Sequence, residues 1–195
     1  AASDVYKRQE KLEEALNIII PMLRGERPSL DGKHYSVADA INEPQPLSRI
    51  PVMIGGSGEK KTLRMVAQYA DESNLSSGSY DEIPRKLDAL AAHCERLGRD
   101  RSEIKVTKLV MMAIGETHDK CLADLKAFAE FKGWPEGVLD MMLPVMTHGG
   151  PDEVGEQIRD LIDLGIDGVT VNLVANGHNT EMVELAGKTL DAVIP

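Results

Sequence analysis

Apolar residues recur along the chain at helical and strand spacings in turn, and that alternation sets out the expected elements. Leu12, Leu16, Ile19 and Leu23 lie three or four residues apart, which predicts an amphipathic helix over about residues 10–24, stopped by Gly25. Pro21 falls inside the pattern and is expected to kink or shorten the helix, because it lacks an N–H and crowds the preceding turn. Residues 26–49 have no sustained period and several prolines and glycines, so they read as one long loop with DGKHY as a short turn. A loop of that length inside a compact domain is uncommon and often functional.

Ile50-Pro51-Val52-Met53-Ile54 is a short apolar run ending in Gly55-Gly56, the composition of a buried parallel strand. Helical spacing returns over about 58–70 through Leu63, Val66, Ala67 and Ala70, and residues 71–77 read as a short strand. Ile83, Leu87, Leu90, Cys94 and Leu97 predict a helix over about 81–97, closed by Gly98. Ile104–Ile114 is the longest strand signal, followed by a helix over about 118–132 and an irregular, Met-rich stretch over 133–148. Pro151 with Asp152 and Glu153 marks a helix start, with proline and acids in the first turn of a helix over about 152–164. Val169–Leu173 is the last strand, and Asn179 or Thr180 caps a final helix ending near Val193.

One helix followed by four strand-plus-helix units implies a parallel sheet with right-handed crossovers. Four units cannot close an eight-stranded barrel. The fold is therefore an open α/β sheet or half of a barrel.

Composition narrows the function classes. Among 195 residues, 42% are hydrophobic and 28% charged, which suits a soluble globular domain. The net charge of −10, with no basic run, argues against nucleic acid as a partner. No segment approaches the ~20 apolar residues needed to cross a bilayer. Cys94 and Cys121 lack metal spacing and read as reduced core thiols, which makes a cytoplasmic location the expectation.

The first nine residues, AASDVYKRQ, stand apart. Back-translated with one choice of codons, SDVYKRQ contains AGATGTGTATAAGAGACAG, the end of a transposon used to tag DNA for sequencing. Residues 1–9 are therefore expected to be an adapter-derived scar. Residues 10–195 are then expected to be the C-terminal part of a longer protein.

Candidate chemistry concentrates in GGSGEKKT. A strand, then Gly55-Gly56-Ser57-Gly58, then a helix is a geometry that binds phosphate. Glycines let backbone N–H groups approach the anion, and the helix start adds unpaired donors and a positive dipole end. Ser57 can add a hydroxyl donor, and Lys60 or Lys61 a charge. The spacing is neither that of a P-loop nor the dinucleotide fingerprint. The five histidines, His34, His93, His118, His148 and His178, show no metal-ligand spacing. His93 and Cys94 are neighbours on a helix and point apart, so they make a poor nucleophilic pair. Asp71 and Glu72 read as surface or cap residues at a strand start. Met141, Met142 and Met146 read as packing, and Trp134 as packing or a pocket wall.

Several separated segments, in order, resemble the luciferase-like monooxygenase superfamily and, within it, the coenzyme F420-dependent branch. They are GKHY…PQPL…IPVMIGG, the strand QYADESNL, the turn GRDRSEI, and GPDEVGEQIRDLIDLGIDGVTVNL. The resemblance spans residues 10–195. It implies the C-terminal half, strands five to eight, of a TIM-type (β/α)8 barrel, with Ile50–Ile54 as the fifth strand and Val169–Leu173 as the eighth. It implies an oxidoreductase that transfers a hydride between coenzyme F420, or alternatively FMN, and an organic small-molecule substrate. Gly55, Gly56, Ser57 and Gly58 become the cofactor-binding positions, near the phosphate end. The catalytic residues would lie on the absent early strands, so none is assigned. Gly150 stands where many relatives have Thr, so a hydroxyl cap is expected to be missing there. The long 26–49 loop and the 133–148 segment are the expected substrate-facing parts, and the full-length protein is expected to allow a homodimer. The other class open to the sequence is a non-catalytic, phosphate-ligand-binding open α/β module.

Overall fold

The structure, a computed structural model, describes residues 2–76 and 80–194. It divides into two compact units, Ala1–Ser73 with Asp88–Lys105 and Asn74–Leu87 with Val106–Pro195.

In the first unit, α1 (Ala2–Leu23) starts well before the expected residue 10 and passes through Pro21. Pro21 sits in the last turn, where its carbonyl accepts from the N–H groups of Arg24 and Glu26, and Gly25 turns the chain away at φ +80. The expected kink is therefore a termination. The long loop contains a two-stranded antiparallel hairpin, β1 (Leu30–Asp31) and β2 (Ser36–Val37), with the DGKHY turn between them.

Glutamates of α1 hold that turn. Glu14 accepts from the backbone N–H groups of Lys33 (3.0 Å), His34 (2.8 Å) and Tyr35 (2.9 Å). Glu10 takes Lys33 Nζ at 2.9 Å and His34 Nε2 at 3.0 Å. These bonds from Lys33 and His34 lower the Glu10 carboxyl to a pKa of about 2.

The apolar run yields a shorter strand than expected, β3 (Met53–Gly55). Ile54 is buried, but Met53 and Ile50 are about half exposed, so this is not the buried strand its composition suggests. β3 stands at the end of the sheet order, and its burial alternates, with Ile54 inward and Met53 and Gly55 exposed. α2 (Thr62–Tyr69) follows and buries Leu63, Met65, Val66 and Ala67. Asp71, expected at the surface, instead ties strand starts together. Its carboxylate accepts from Val52 N (2.8 Å) and pairs with Arg49, its N–H donates to Val52 O, and its carbonyl accepts from Lys105 N. Partial burial pushes that carboxyl up, but the Val52 N–H and Arg49 outweigh it and hold it below its ordinary value.

β4 (Glu72–Leu75) covers the expected 71–77 strand up to Leu75; the Ser77 end of that expectation lies outside the described residues. A single 3₁₀ turn (Tyr80–Glu82) leads into α3 (Ile83–Leu97), which ends at Gly98, φ +65.

The second unit is built on β5 (Lys105–Ile114), whose even-numbered residues Val106, Lys108, Val110, Met112 and Ile114 are all buried. α4 (His118–Phe131) follows, with Thr117 Oγ1 accepting from Lys120 N at its cap. The 133–148 stretch is not wholly irregular. It holds α5 (Val138–Met142), a 3₁₀ turn and the short strand β6 (Thr147–Gly149). β6 pairs parallel with β5 from Met112↔Thr147 to Ile114↔Gly149, a pairing too short to carry its own period. Among the described residues the larger sheet thus has five strands where four were expected, besides the β1–β2 hairpin.

α6 (Pro151–Asp163) starts at Gly150 without a side-chain cap from that residue, and Glu153 accepts from Gly150 N instead at 2.8 Å. β7 (Gly168–Leu173) pairs parallel with β5 from Thr107↔Gly168 to Met112↔Leu173. α7 (Thr180–Asp191) is capped by Asn179. The fold is α/β with a parallel sheet.

Candidate functional site

Two places at the C-terminal ends of strands carry ligand-binding geometry, one in each unit. In the first unit β3 ends at Gly55 and the chain turns through Gly56 at φ +127, a region that favours glycine. A β-carbon on Gly56 would stand 3.1 Å from Thr62 Cγ2, and one on Gly58 3.0 Å from Thr62 Oγ1. The loop is longer than expected because α2 begins at Thr62 rather than near 58, with Gly58 O accepting from Leu63 N at the entry. Lys61 occupies the cap position and no side chain caps the helix.

Gly55 and Gly58 are exposed, and Gly56 and Ser57 half-buried. The four glycine-loop positions expected to bind the cofactor are therefore at least partly accessible to solvent. Lys61 is committed elsewhere, its ammonium 4.7 Å from the Tyr6 ring centroid. The far side of the loop is held by His93 Nε2, 2.7 Å from Glu59 O. His93 therefore serves the loop, while its neighbour Cys94 is buried and its thiol pushed up by desolvation.

In the second unit the chain leaving β7 borders a cavity of about 400 Å³. Phe128 and Trp134 form part of its wall, edge to face with ring centroids 5.6 Å apart. Met111, Leu173 and Val174 supply the rest of the apolar lining, and Asn172 and His178 the polar rim. Ala175 holds φ +70, a strained value for a non-glycine residue. Gly177 lies so close to Leu173 that a β-carbon would approach its carbonyl oxygen to 2.9 Å. Asn176 pins the loop, donating to Asp124 at 3.0 Å.

Sequence periodicity could not find this cavity. Its residues come from β5, α4, the turn after α4, β7 and the loop after β7; of them Trp134 reads in the sequence as packing or a pocket wall, and His178 is considered there only as a metal ligand. Beneath it on the same sheet, Asn74 Nδ2 donates to Thr107 Oγ1 (2.8 Å) and Thr170 Oγ1 (2.9 Å), joining β4, β5 and β7.

A larger cavity, about 580 Å³, lies in the first unit at the opposite, N-terminal end of β3, between α1, Gln45–Ile50 and Asp71. It is away from the glycine loop. Of the histidines, His34 bonds Glu10, His118 bonds Glu153 and His148 bonds Met146 O. No metal-holding group of His, Cys, Asp and Glu occurs among the described residues. No helix among them is long and apolar enough to cross a membrane.

Strands alternating with helices, with parallel pairing of β5 to β6 and β7, define an α/β protein. The sequence model of the luciferase-like monooxygenase family matches residues 2–168, and the chain belongs to that family. It is 30% identical over 179 residues to an F420-dependent glucose-6-phosphate dehydrogenase of Microbacterium testaceum (strain StLB037), covering 82% of this chain and 53% of that protein. The chain thus spans about half the length of this curated relative. Its fold is similar to that of a coenzyme F420-dependent tetrahydromethanopterin reductase from Methanopyrus kandleri, with TM-score 0.75, 16% identity, and coverage of 96% of this chain and 64% of that one. It is also similar to an F420-dependent secondary alcohol dehydrogenase, with TM-score 0.77, 15% identity, and coverage of 98% and 63%.

Proposed function

We propose that this chain is the C-terminal half of a barrel-type oxidoreductase that uses coenzyme F420 to move a hydride to or from an organic substrate. The observation that carries the reading is the Gly55–Gly58 turn, where Gly56 is at φ +127 and an uncapped helix follows. A phosphate fits such a turn, because backbone N–H groups and the positive end of α2 can face an anion with no β-carbon between. Gly55, Gly56, Ser57 and Gly58 would hold the phosphate end. The coenzyme, when bound, supplies the hydride acceptor or donor, and the protein orients it and keeps water out. The F420-dependent relative supports this cofactor over FMN.

The half-barrel reading is supported by β3 standing at the end of the sheet order with Met53 half exposed, as expected of a strand whose neighbour is absent. A small-molecule substrate follows from the same reading.

The test is a titration of coenzyme F420, followed by its own fluorescence, against the protein and its Gly56→Val variant. At φ +127 valine is strained and fills the approach to the backbone. Affinity should fall tenfold or more while circular dichroism is kept. Equal affinities would remove this loop from the site.

A further inference from the structure

Resting on the reading above, we infer that the substrate end of this protein takes an uncharged, largely apolar, ring-sized molecule and rejects phosphate esters. The cavity after β7 has the volume for such a ligand, about 400 Å³. Its wall is Met111, Phe128, Trp134, Leu173 and Val174, and neither Lys nor Arg lines it among the described residues. The cation beside it is Lys132, whose ammonium rests 5.5 Å from the Phe128 centroid and 5.7 Å from that of Phe131. Lys132 packs on these rings and is not among the residues that line the cavity. A dianionic phosphate seated here would lose part of its hydration with no guanidinium or ammonium among the lining residues to replace it, which is unfavourable.

A neutral ring meets better terms. The edge-to-face pair of Phe128 and Trp134 offers aromatic surface, and Met111 offers a pliable side chain that adapts to shape. Asn172 and His178, both at the exposed rim, can each hydrogen-bond one hydroxyl or carbonyl oxygen. The strained turn at Ala175 and the close approach of Gly177 to Leu173 hold the rim loop in place. The substrate class thus differs from the glucose 6-phosphate in the name of the relative from Microbacterium testaceum.

Trp134 is the chain's single tryptophan and lies in the cavity wall, so its emission reports directly on occupancy. The experiment titrates 1-phenylethanol and, separately, glucose 6-phosphate against the 195-residue chain, exciting the tryptophan selectively. A saturable change with 1-phenylethanol and none with glucose 6-phosphate is the expected result. Asn172→Ala and His178→Ala, both exposed positions, should keep the fold and between them weaken 1-phenylethanol roughly three- to tenfold, the effect of one lost hydrogen bond. Saturation by glucose 6-phosphate, absence of saturation by 1-phenylethanol, or unchanged affinity in both variants would each overturn the inference. The coenzyme titration with Gly56→Val uses a different chromophore and a different loop, so failure of the proposed function is read separately.

Discussion

Gly32 and Glu14 are packed so closely that a β-carbon on Gly32 would lie 2.5 Å from the Glu14 Oε2 and 2.9 Å from the Tyr35 carbonyl oxygen. The turn between β1 and β2 wraps its N–H groups around one carboxylate, and glycine is what lets it close. Gly32→Ala should therefore open the turn and cost about 1–3 kcal/mol, the usual range for a substitution that disrupts a packed hydrogen-bond cluster. Urea unfolding of wild type and variant measures it. A stability within experimental error of wild type would show that the turn tolerates a side chain.

The same clasp predicts an acid dependence. Glu10 is lowered from 4.5 to about 2 in the fold, so the unfolded chain binds the proton first as pH falls. The stabilisation is complete above about pH 4.5 and is lost as pH drops through about 2. Glu10→Gln should flatten that part of the pH–stability curve relative to wild type, in melting temperatures taken between pH 6 and 2.5. Parallel curves would show that Glu10 does not contribute.

Lys108 adds a slope of the same sign in the alkaline range. It is buried on β5, its ammonium donating to the carbonyls of Ser76 (3.2 Å) and Leu109 (3.1 Å), and desolvation lowers its pKa. The unfolded chain then holds the proton to higher pH than the folded one, so stability should rise with pH from the folded pKa up to 10.5. Lys108→Met should remove that alkaline rise. Chemical denaturation at a series of pH values above neutrality checks it, and a rise unchanged in the variant would remove Lys108 as its source.

The stretch expected to be foreign should matter little. Tyr6 contributes an exposed ring beneath the Lys61 ammonium, worth about 0.5–1 kcal/mol in general. Deleting residues 1–9 should cost less than about 1 kcal/mol by thermal unfolding. A larger loss would mean that this part of α1 was selected with the rest.

If the chain is half of a barrel, β3 offers an open edge and Ile50, Met53 and Leu47 offer apolar surface. Such edges recruit other chains. Size exclusion with light scattering should find dimers or larger assemblies, kept in solution by the charge of −10. A monodisperse, cooperatively unfolding monomer would instead favour a complete open-sheet module.

The α3, α4, α6 and α7 helices, β5 and β7 were legible in the chain itself, because each is long enough for its period to show. Local chemistry also fixed their ends: Gly98 at the stop of α3, Pro151 and Glu153 at the start of α6, Asn179 at the cap of α7. The glycine turn was legible too, since a strand running into glycines has few other readings. What the pattern could not supply was anything decided by distant partners. β6 exists only because Thr147–Gly149 lies against Met112–Ile114. Asp71 looked like a surface acid until Val52 and Arg49 closed on it from a segment some twenty residues earlier. The cavity gathers Met111, Trp134 and Leu173 from positions dozens of residues apart. Periodicity records which side of its own element a residue occupies; which residues meet across elements is set by how those sides pack, and that information appears only in the folded chain.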